Sequence, residues 1–168
     1  MSPSESKPRI SSDEFKKHAG AINNAILALS QAVGSSGLDP ELQQLVKLRA
    51  SQINGCAFCT QLHLNESRHM GIPAPKLDLI AVWREAGVFS EREKAALQWT
   101  ELLTRLSEHH VSDEDFVAVS AHFAPPELAW LSAAVAVINT WNRIAAPFQY
   151  TPPIPRHTIQ PVHEPAHS

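Results

Sequence analysis

The sequence predicts an all-α protein of one domain, with six or seven helices joined by short connections. Apolar residues recur at spacings of three and four along most of the chain, which is the period of an amphipathic helix. Serine, aspartate and proline stand where helices are expected to begin, and glycine stands where several are expected to end. No segment shows the convincing alternation of apolar and polar residues that is typical of a strand.

The first predicted helix covers about residues 15–33 and has a single apolar face. That face consists of Phe15, Ala19, Ile22, Ile26, Leu29 and Val33. The second predicted helix begins after Asp39, an N-cap that places Pro40 at the first helical position, and runs to about Ile53. The remaining helices are predicted over residues 56–70, 75–86, 90–106, 112–123 and 127–145. Since the last of them is apolar nearly all round, we expect it in the core or between subunits.

The chain changes character from Pro147 onward, because six of its 13 prolines lie between there and the end. So many prolines exclude a regular helix over the last twenty residues or so. We therefore predict a flexible N-terminus over residues 1–12, a helical domain over 13–147 and a Pro-rich tail over 148–168.

Composition excludes several classes of function. The formal net charge is -3 and the Lys and Arg residues are scattered, so no patch for nucleic acid or a membrane surface is predicted. The most apolar stretch, residues 128–138, is too short to span a bilayer, and the N-terminus lacks the apolar core of a secretory signal. These features predict a soluble, cytoplasmic protein.

The chain has only two cysteines, Cys56 and Cys59, and they lie three positions apart. A bond between them would close a very short loop, so it would add little stability through chain entropy. At the start of a helix, the positive end of the dipole favours the thiolate, which is the reactive form of cysteine. His63 follows one turn after Cys59 on the same helical stripe, where it can act as a base. These residues favour a redox-active dithiol.

Three other interpretations of these residues remain open. Cys56, Cys59 and His63 could bind zinc, although a closed zinc site requires a fourth ligand that the sequence does not offer. The cysteines could be buried core residues beside a surface histidine. One cysteine alone could act as a nucleophile, with the other incidental.

The run over residues 42–59, followed by His63, resembles the alkylhydroperoxidase D-like (AhpD-like) core of the carboxymuconolactone decarboxylase superfamily. Residues 138–144 resemble the closing helix of that family. The resemblance implies an all-α homo-oligomer, a trimer or hexamer, with the active site near a subunit interface. It implies an antioxidant enzyme that reduces organic or hydrogen peroxide without a metal or cofactor.

Carried over to this chain, the resemblance makes Cys59 the cysteine that attacks peroxide, Cys56 the resolving cysteine and His63 a member of a proton relay. The implied reductant is a lipoyl-bearing or thioredoxin-like protein. Members of the superfamily that decarboxylate lactones generally lack this cysteine pair. A decarboxylase-like lyase, a redox sensor and a zinc-binding interaction protein remain the alternatives.

The sequence departs from the family pattern at Gln44, which stands twelve residues before Cys56 where the family usually has glutamate. Glutamine can orient a histidine by hydrogen bonding, but it cannot accept and release a proton. We therefore expect a water, Glu41 or Glu66 to take the place of the missing acid, or a shortened relay. A second departure is Phe58, where the best-studied branch has a histidine.

Overall fold

The computed structural model of the chain describes residues 7–155, which form eight α-helices, one short 3₁₀ helix and no strand. The helices are α1 Ser12–His18, α2 Gly20–Gly34, α3 Pro40–Ile53, α4 Ala57–His69, α5 Ala74–Leu79, the 3₁₀ helix Ile80–Val82, α6 Glu91–Thr104, α7 Asp113–Ser120 and α8 Pro125–Phe148. The predicted all-α class is confirmed, with slightly more helices than the six or seven predicted. The predicted N-terminal segment 1–12 and tail 148–168 both extend beyond the described residues.

The prediction of one helix over residues 15–33 is wrong, because the chain leaves helical geometry at Ala19, where φ is -127° and ψ is 39°. A capping box of Ser11 and Glu14 begins α1 before this break. The apolar face predicted for the single helix is also partly exposed. Ile22 and Leu29 on α2 are 58% and 54% exposed, whereas Ile26 and Val33 are buried.

The helix predicted over residues 75–86 is shorter than expected and ends in the 3₁₀ turn at Val82. The next residue, Trp83, is buried, and its indole donates a hydrogen bond to Glu101 at 2.9 Å. At the other end of the chain, α8 extends three residues past its predicted end. It includes Pro147 in its last turn, where a missing N–H group removes only one helical hydrogen bond.

Helix α3 lies at the centre of the fold and packs against α4, α6 and α8. Its side chains contribute to the three apolar clusters of the core. One of these clusters contains Cys56, Cys59, Ala50, Ile138, Ala145 and Tyr150. The cysteine pair therefore lies in the apolar interior where α3, α4 and α8 meet.

The last described residues return towards the helices that surround the cysteines. The backbone N–H of Arg9 donates to the carbonyl of Phe148 at 2.9 Å, which ties the beginning of the described chain to the end of α8. Asn65 on α4 donates to the carbonyl of Pro153 at 2.7 Å. Residues 149–155 therefore lie beside α4.

Within residues 7–155, no single helix is long and apolar enough to cross a bilayer. Helices α7 and α8 together meet the same length and composition criteria, but they are bent by 113° at their junction.

Candidate redox-active site

The cysteine pair occupies the turn between α3 and α4. Gly55, with φ of +63°, makes the sharp turn between the two helices, and the N–H of Cys56 donates to the carbonyl of Ser51 at 3.0 Å. Cys56 is the N-cap of α4, and its Sγ accepts a hydrogen bond from the N–H of Cys59 at 3.2 Å. The two cysteines form a disulfide, with their Cα atoms 5.4 Å apart.

Asparagines on α8 hold this turn in place. The side-chain amide of Asn54 donates to Asn139 at 3.0 Å and to Asn142 at 2.9 Å. Asn142, which is almost fully buried, in turn donates to the hydroxyl of Ser51 at 3.2 Å. These bonds link the last turn of α3 and its C-cap to α8, so the cysteines follow a rigid support.

His63 is buried on α4 and its Nδ1 faces two oxygen atoms. These are Oε1 of Gln44 at 3.0 Å and Oε2 of Glu66 at 3.1 Å. A carboxylate only accepts hydrogen bonds, so Nδ1 of the neutral ring carries the proton. Nε2 is then the nitrogen with a free lone pair, which can accept a proton from a thiol.

Glu66 is the acid beside the histidine. Its hydrogen bond with His63 holds the pKa of Glu66 below the ordinary value for glutamate, against the opposing effect of burial, and a hydrogen bond from Gln44 adds to the shift. Glu66 is therefore a carboxylate at neutral pH. Glu41 is exposed in the first turn of α3, and no hydrogen bond among the described side chains joins it to His63.

An apolar cavity of about 390 Å³ opens on one side of the disulfide. Its walls come from α2, α4 and α8 and include Leu27, Val33, Leu62, Ile138 and Trp141. Cys59, His63 and Glu66 also line it, whereas Cys56 does not line it and is fully buried. Cys59 is thus the sulfur that a small molecule in the cavity can meet.

Several polar side chains of this cavity were not predicted, among them Lys47 on α3 and Tyr150 after α8. Burial lowers the pKa of Lys47, with Glu66 opposing the shift, and burial raises the pKa of Tyr150. Lys47 lies three residues after Gln44 and carried no recognisable signal. Tyr150 did carry one, because it is the only tyrosine in the sequence and stands among the prolines of the tail.

The predicted zinc alternative required Cys56, Cys59 and His63 as ligands. In the part of the chain that the structure describes, no group of three or more His, Cys, Asp or Glu side chains has the arrangement of a metal site. The two sulfurs are bonded to each other and His63 is hydrogen-bonded to Glu66.

Comparison with known proteins gives consistent matches. Residues 21–102 match the model of the carboxymuconolactone decarboxylase family. A protein of unknown function from Agrobacterium tumefaciens, proposed to be the antioxidant defence protein AhpD, is 41% identical. Its structure superimposes with a TM-score of 0.84 over 89% of this chain and 100% of that chain. The uncharacterized protein YdfG of Bacillus subtilis is 34% identical over 110 residues, which are 66% of this chain and 75% of YdfG.

A more distant structure shares the fold alone. It is an uncharacterized peroxidase-related protein from Ralstonia eutropha with an alkylhydroperoxidase AhpD core, 23% identical and with a TM-score of 0.72 over 82% of this chain and 74% of that chain. The all-α fold and the paired cysteines at the start of α4 define an AhpD-like protein. The chain belongs to the carboxymuconolactone decarboxylase family, in its AhpD-like group.

Proposed function

We propose that this protein is a thiol-dependent peroxidase that reduces organic hydroperoxides through Cys59. The observation that carries the proposal is the asymmetry of the cysteine pair. Cys59 lines the cavity together with His63, while its disulfide partner Cys56 is fully buried behind it. The antioxidant defence role proposed for the Agrobacterium relative agrees with this chemistry.

The cycle starts with both cysteines reduced. His63 takes the thiol proton of Cys59 at Nε2, and the thiolate attacks the terminal oxygen of the hydroperoxide. The O–O bond breaks, the electron pair leaves on the alkoxide, and the proton from His63 converts the alkoxide to an alcohol. Cys59 becomes a sulfenic acid. The thiol of Cys56 then displaces the sulfenic hydroxyl as water and forms the disulfide.

A dithiol from outside restores the enzyme. Its thiolate attacks Sγ of Cys59, the sulfur that faces the cavity, and Cys56 leaves as a thiolate. The second thiol of the dithiol then attacks the mixed disulfide, which releases the thiol of Cys59 and leaves the outside dithiol as a disulfide. The N–H of Cys59 that points at Sγ of Cys56 stabilises that leaving thiolate. A dithiol on a slender arm, as in a lipoyl-bearing protein, fits a buried sulfur better than the surface dithiol of a thioredoxin-like protein.

The cavity favours an organic substrate over hydrogen peroxide. Its volume of about 390 Å³ is in the range of sites that bind small organic molecules, and most of its lining is apolar. Hydrogen peroxide would occupy a small part of this space and would bury no apolar surface.

We also propose that the protein works as a homo-oligomer, a trimer or hexamer. Ile22, Leu27 and Leu29 of α2 are 58%, 44% and 54% exposed, which is unusual for large apolar side chains so close together. Leu27 also lines the cavity, so a second subunit packed on α2 would lie next to the site.

The test is a count of free thiols on reduced protein before and after one equivalent of cumene hydroperoxide. We expect rapid loss of both thiols and an intramolecular Cys56–Cys59 disulfide by mass spectrometry. In Cys59→Ser the peroxide should remain unconsumed, whereas the matched Cys56→Ser variant should undergo one oxidation and form no disulfide. Full consumption of the peroxide by Cys59→Ser would refute the role of Cys59. Unreactive thiols in the natural chain would refute the peroxidase proposal and favour a lyase.

A further inference from the structure

Tyr150 is directed at the cavity by an unusual end to α8. Gln149 adopts the left-handed conformation, with φ of 54° and ψ of 51°, which is uncommon for a residue other than glycine. The N–H of Tyr150 then donates to the carbonyl of Ala145 at 3.1 Å, and the chain turns back over α4. The Tyr150 ring packs edge-on against Phe58, with ring centroids 5.6 Å apart. Phe58 directly precedes Cys59.

The hydroxyl of Tyr150 is buried, and it has no hydrogen-bond partner among residues 7–155. The whole residue is only 6% exposed, and it lines the cavity that also contains Cys59 and His63. Buried polar groups are nearly always paired in folded proteins, so an unpaired hydroxyl on a residue that lines the cavity indicates a partner that enters from the cavity. Burial raises the pKa of Tyr150, which keeps the hydroxyl protonated and able to donate.

On the basis of the peroxidase function proposed above, we propose that Tyr150 is a substrate-binding and catalytic residue. Its hydroxyl donates a hydrogen bond to the oxygen of the hydroperoxide that leaves as the alcohol. Nothing in the match to the family model covers this residue, because that match ends at residue 102.

The leaving oxygen is the atom that needs a donor. Cys59 attacks the terminal oxygen, and as the O–O bond breaks, negative charge grows on the oxygen attached to the organic group. A fixed hydrogen-bond donor in an apolar site stabilises such charge more strongly than water does. Tyr150 keeps its proton throughout, since the proton that completes the alcohol comes from His63, which received it from Cys59.

The test compares two peroxides that differ in their leaving group. Cumene hydroperoxide releases an alkoxide, a strong base that needs stabilisation, whereas peracetic acid releases acetate, a weak base that needs little. In Tyr150→Phe, which keeps the ring and its packing on Phe58, we expect kcat/KM for cumene hydroperoxide to fall about tenfold to a hundredfold. For peracetic acid we expect a loss of less than about threefold.

Ser67→Ala is the matched control, because Ser67 is the other buried hydroxyl without a partner in the described chain and does not line the cavity. It should change neither rate. Equal losses on both peroxides in Tyr150→Phe would mean that the tyrosine only shapes the cavity, and unchanged rates would mean that it does not meet the substrate; either result overturns the inference. A natural chain inert towards both peroxides would instead overturn the peroxidase function, and this inference with it.

Discussion

The carboxylate of Glu66 lies 3.1 Å from Nδ1 of His63, three residues earlier on the same helix. The acid contacts the imidazole, and the imidazole lines the cavity that contains Cys59. Many enzymes use an acid, an imidazole and a nucleophile in this sequence to activate the nucleophile. The family resemblance puts a glutamate at position 44 on α3, where this chain has Gln44. Here the carboxylate that contacts the histidine comes from α4 instead, and Gln44 contacts the same nitrogen at 3.0 Å.

Glu66 is therefore expected to orient His63 during the reaction. In Glu66→Gln we predict a loss of about tenfold to a hundredfold in the rate of Cys59 oxidation by cumene hydroperoxide, since the ring loses its anionic partner. Stopped-flow thiol titration measures this rate. Glu41→Gln is the matched control and should leave the rate unchanged, because Glu41 is exposed and has no bond to the histidine. A control that loses as much as Glu66→Gln would contradict the assignment.

The same contact predicts a dependence on pH. The pKa of Glu66 is lowered mainly by its hydrogen bond with His63, so the carboxylate persists from neutral pH down to below the ordinary glutamate range. The effect of Glu66 on the orientation of His63 should be present above that range and be lost as the pH falls through the lowered pKa of Glu66.

Replacing Gln44 by Glu sets a second carboxylate beside Glu66, which raises the pKa of both acids. We expect the acidic limb of the rate profile to move up by about one pH unit. An identical profile in the two proteins would mean that residue 44 does not share the histidine.

Outside the lining of the cavity, Glu101 joins the buried Trp83, the part-buried Arg49 and the exposed Arg84. Its carboxylate accepts hydrogen bonds from Arg49 at 2.8 Å and from the indole of Trp83 at 2.9 Å, and it pairs with Arg84 at 2.7 Å. Burial raises its pKa, but these bonds outweigh burial and the net pKa is lowered. In Glu101→Gln the part-buried Arg49 loses its counterion, and we predict a loss of about 3 kcal/mol in the free energy of unfolding by urea.

Arg84→Ala is the control for this effect, because the Arg84 side chain is 59% exposed and its ion pair is screened by water. We expect a loss of about 1 kcal/mol or less. Because the pKa of Glu101 is lowered in the folded protein, the contribution of Glu101 to stability depends on pH. It is fully present above the pKa of Glu101 in the unfolded chain, and it is lost as the pH falls through the pKa of Glu101 in the folded protein. Thiol reactivity at neutral pH should not change in either variant.

Substitutions of Gln149 test whether the left-handed turn at the end of α8, which orients Tyr150, is present in solution. Glycine has no penalty in the left-handed conformation, so Gln149→Gly should stabilise the protein or leave the free energy of unfolding within about 1 kcal/mol. Gln149→Val places a β-branched side chain in that conformation and should cost more than about 1 kcal/mol. Urea unfolding of the two variants compares them directly. Equal stability would show that the turn is not held in this geometry in solution.

Local signals in the sequence were sufficient to predict much of the site. The Asp39–Pro40 start of α3, the capping box at Ser90 and the Cys-X-X-Cys spacing all act within one turn of a helix. The disulfide therefore needs only the correct local turn. The same holds for the pair of His63 and Glu66, which lie three residues apart on one helix.

What the sequence did not reveal depends on contacts between distant segments. The break at Ala19 has a weak local signal, and Phe15 packs instead against Phe148 with ring centroids 6.2 Å apart. Tyr150 reaches the cavity only because the chain reverses at Gln149. Such placements follow from tertiary packing that overrides local preference, so helical periodicity cannot predict them.

The hydrogen bond from Arg9 to the carbonyl of Phe148 also bears on how the molecule is made. It joins residues from opposite ends of the described chain, and both α1 and Tyr150 contribute to the walls of the cavity. During synthesis, the cysteine turn therefore emerges from the ribosome long before the segment that closes the cavity around it. We expect the thiols of a nascent chain to react with oxidants and reductants of any size until Tyr150 has emerged. Only after that late stage should they react selectively with molecules that fit the cavity.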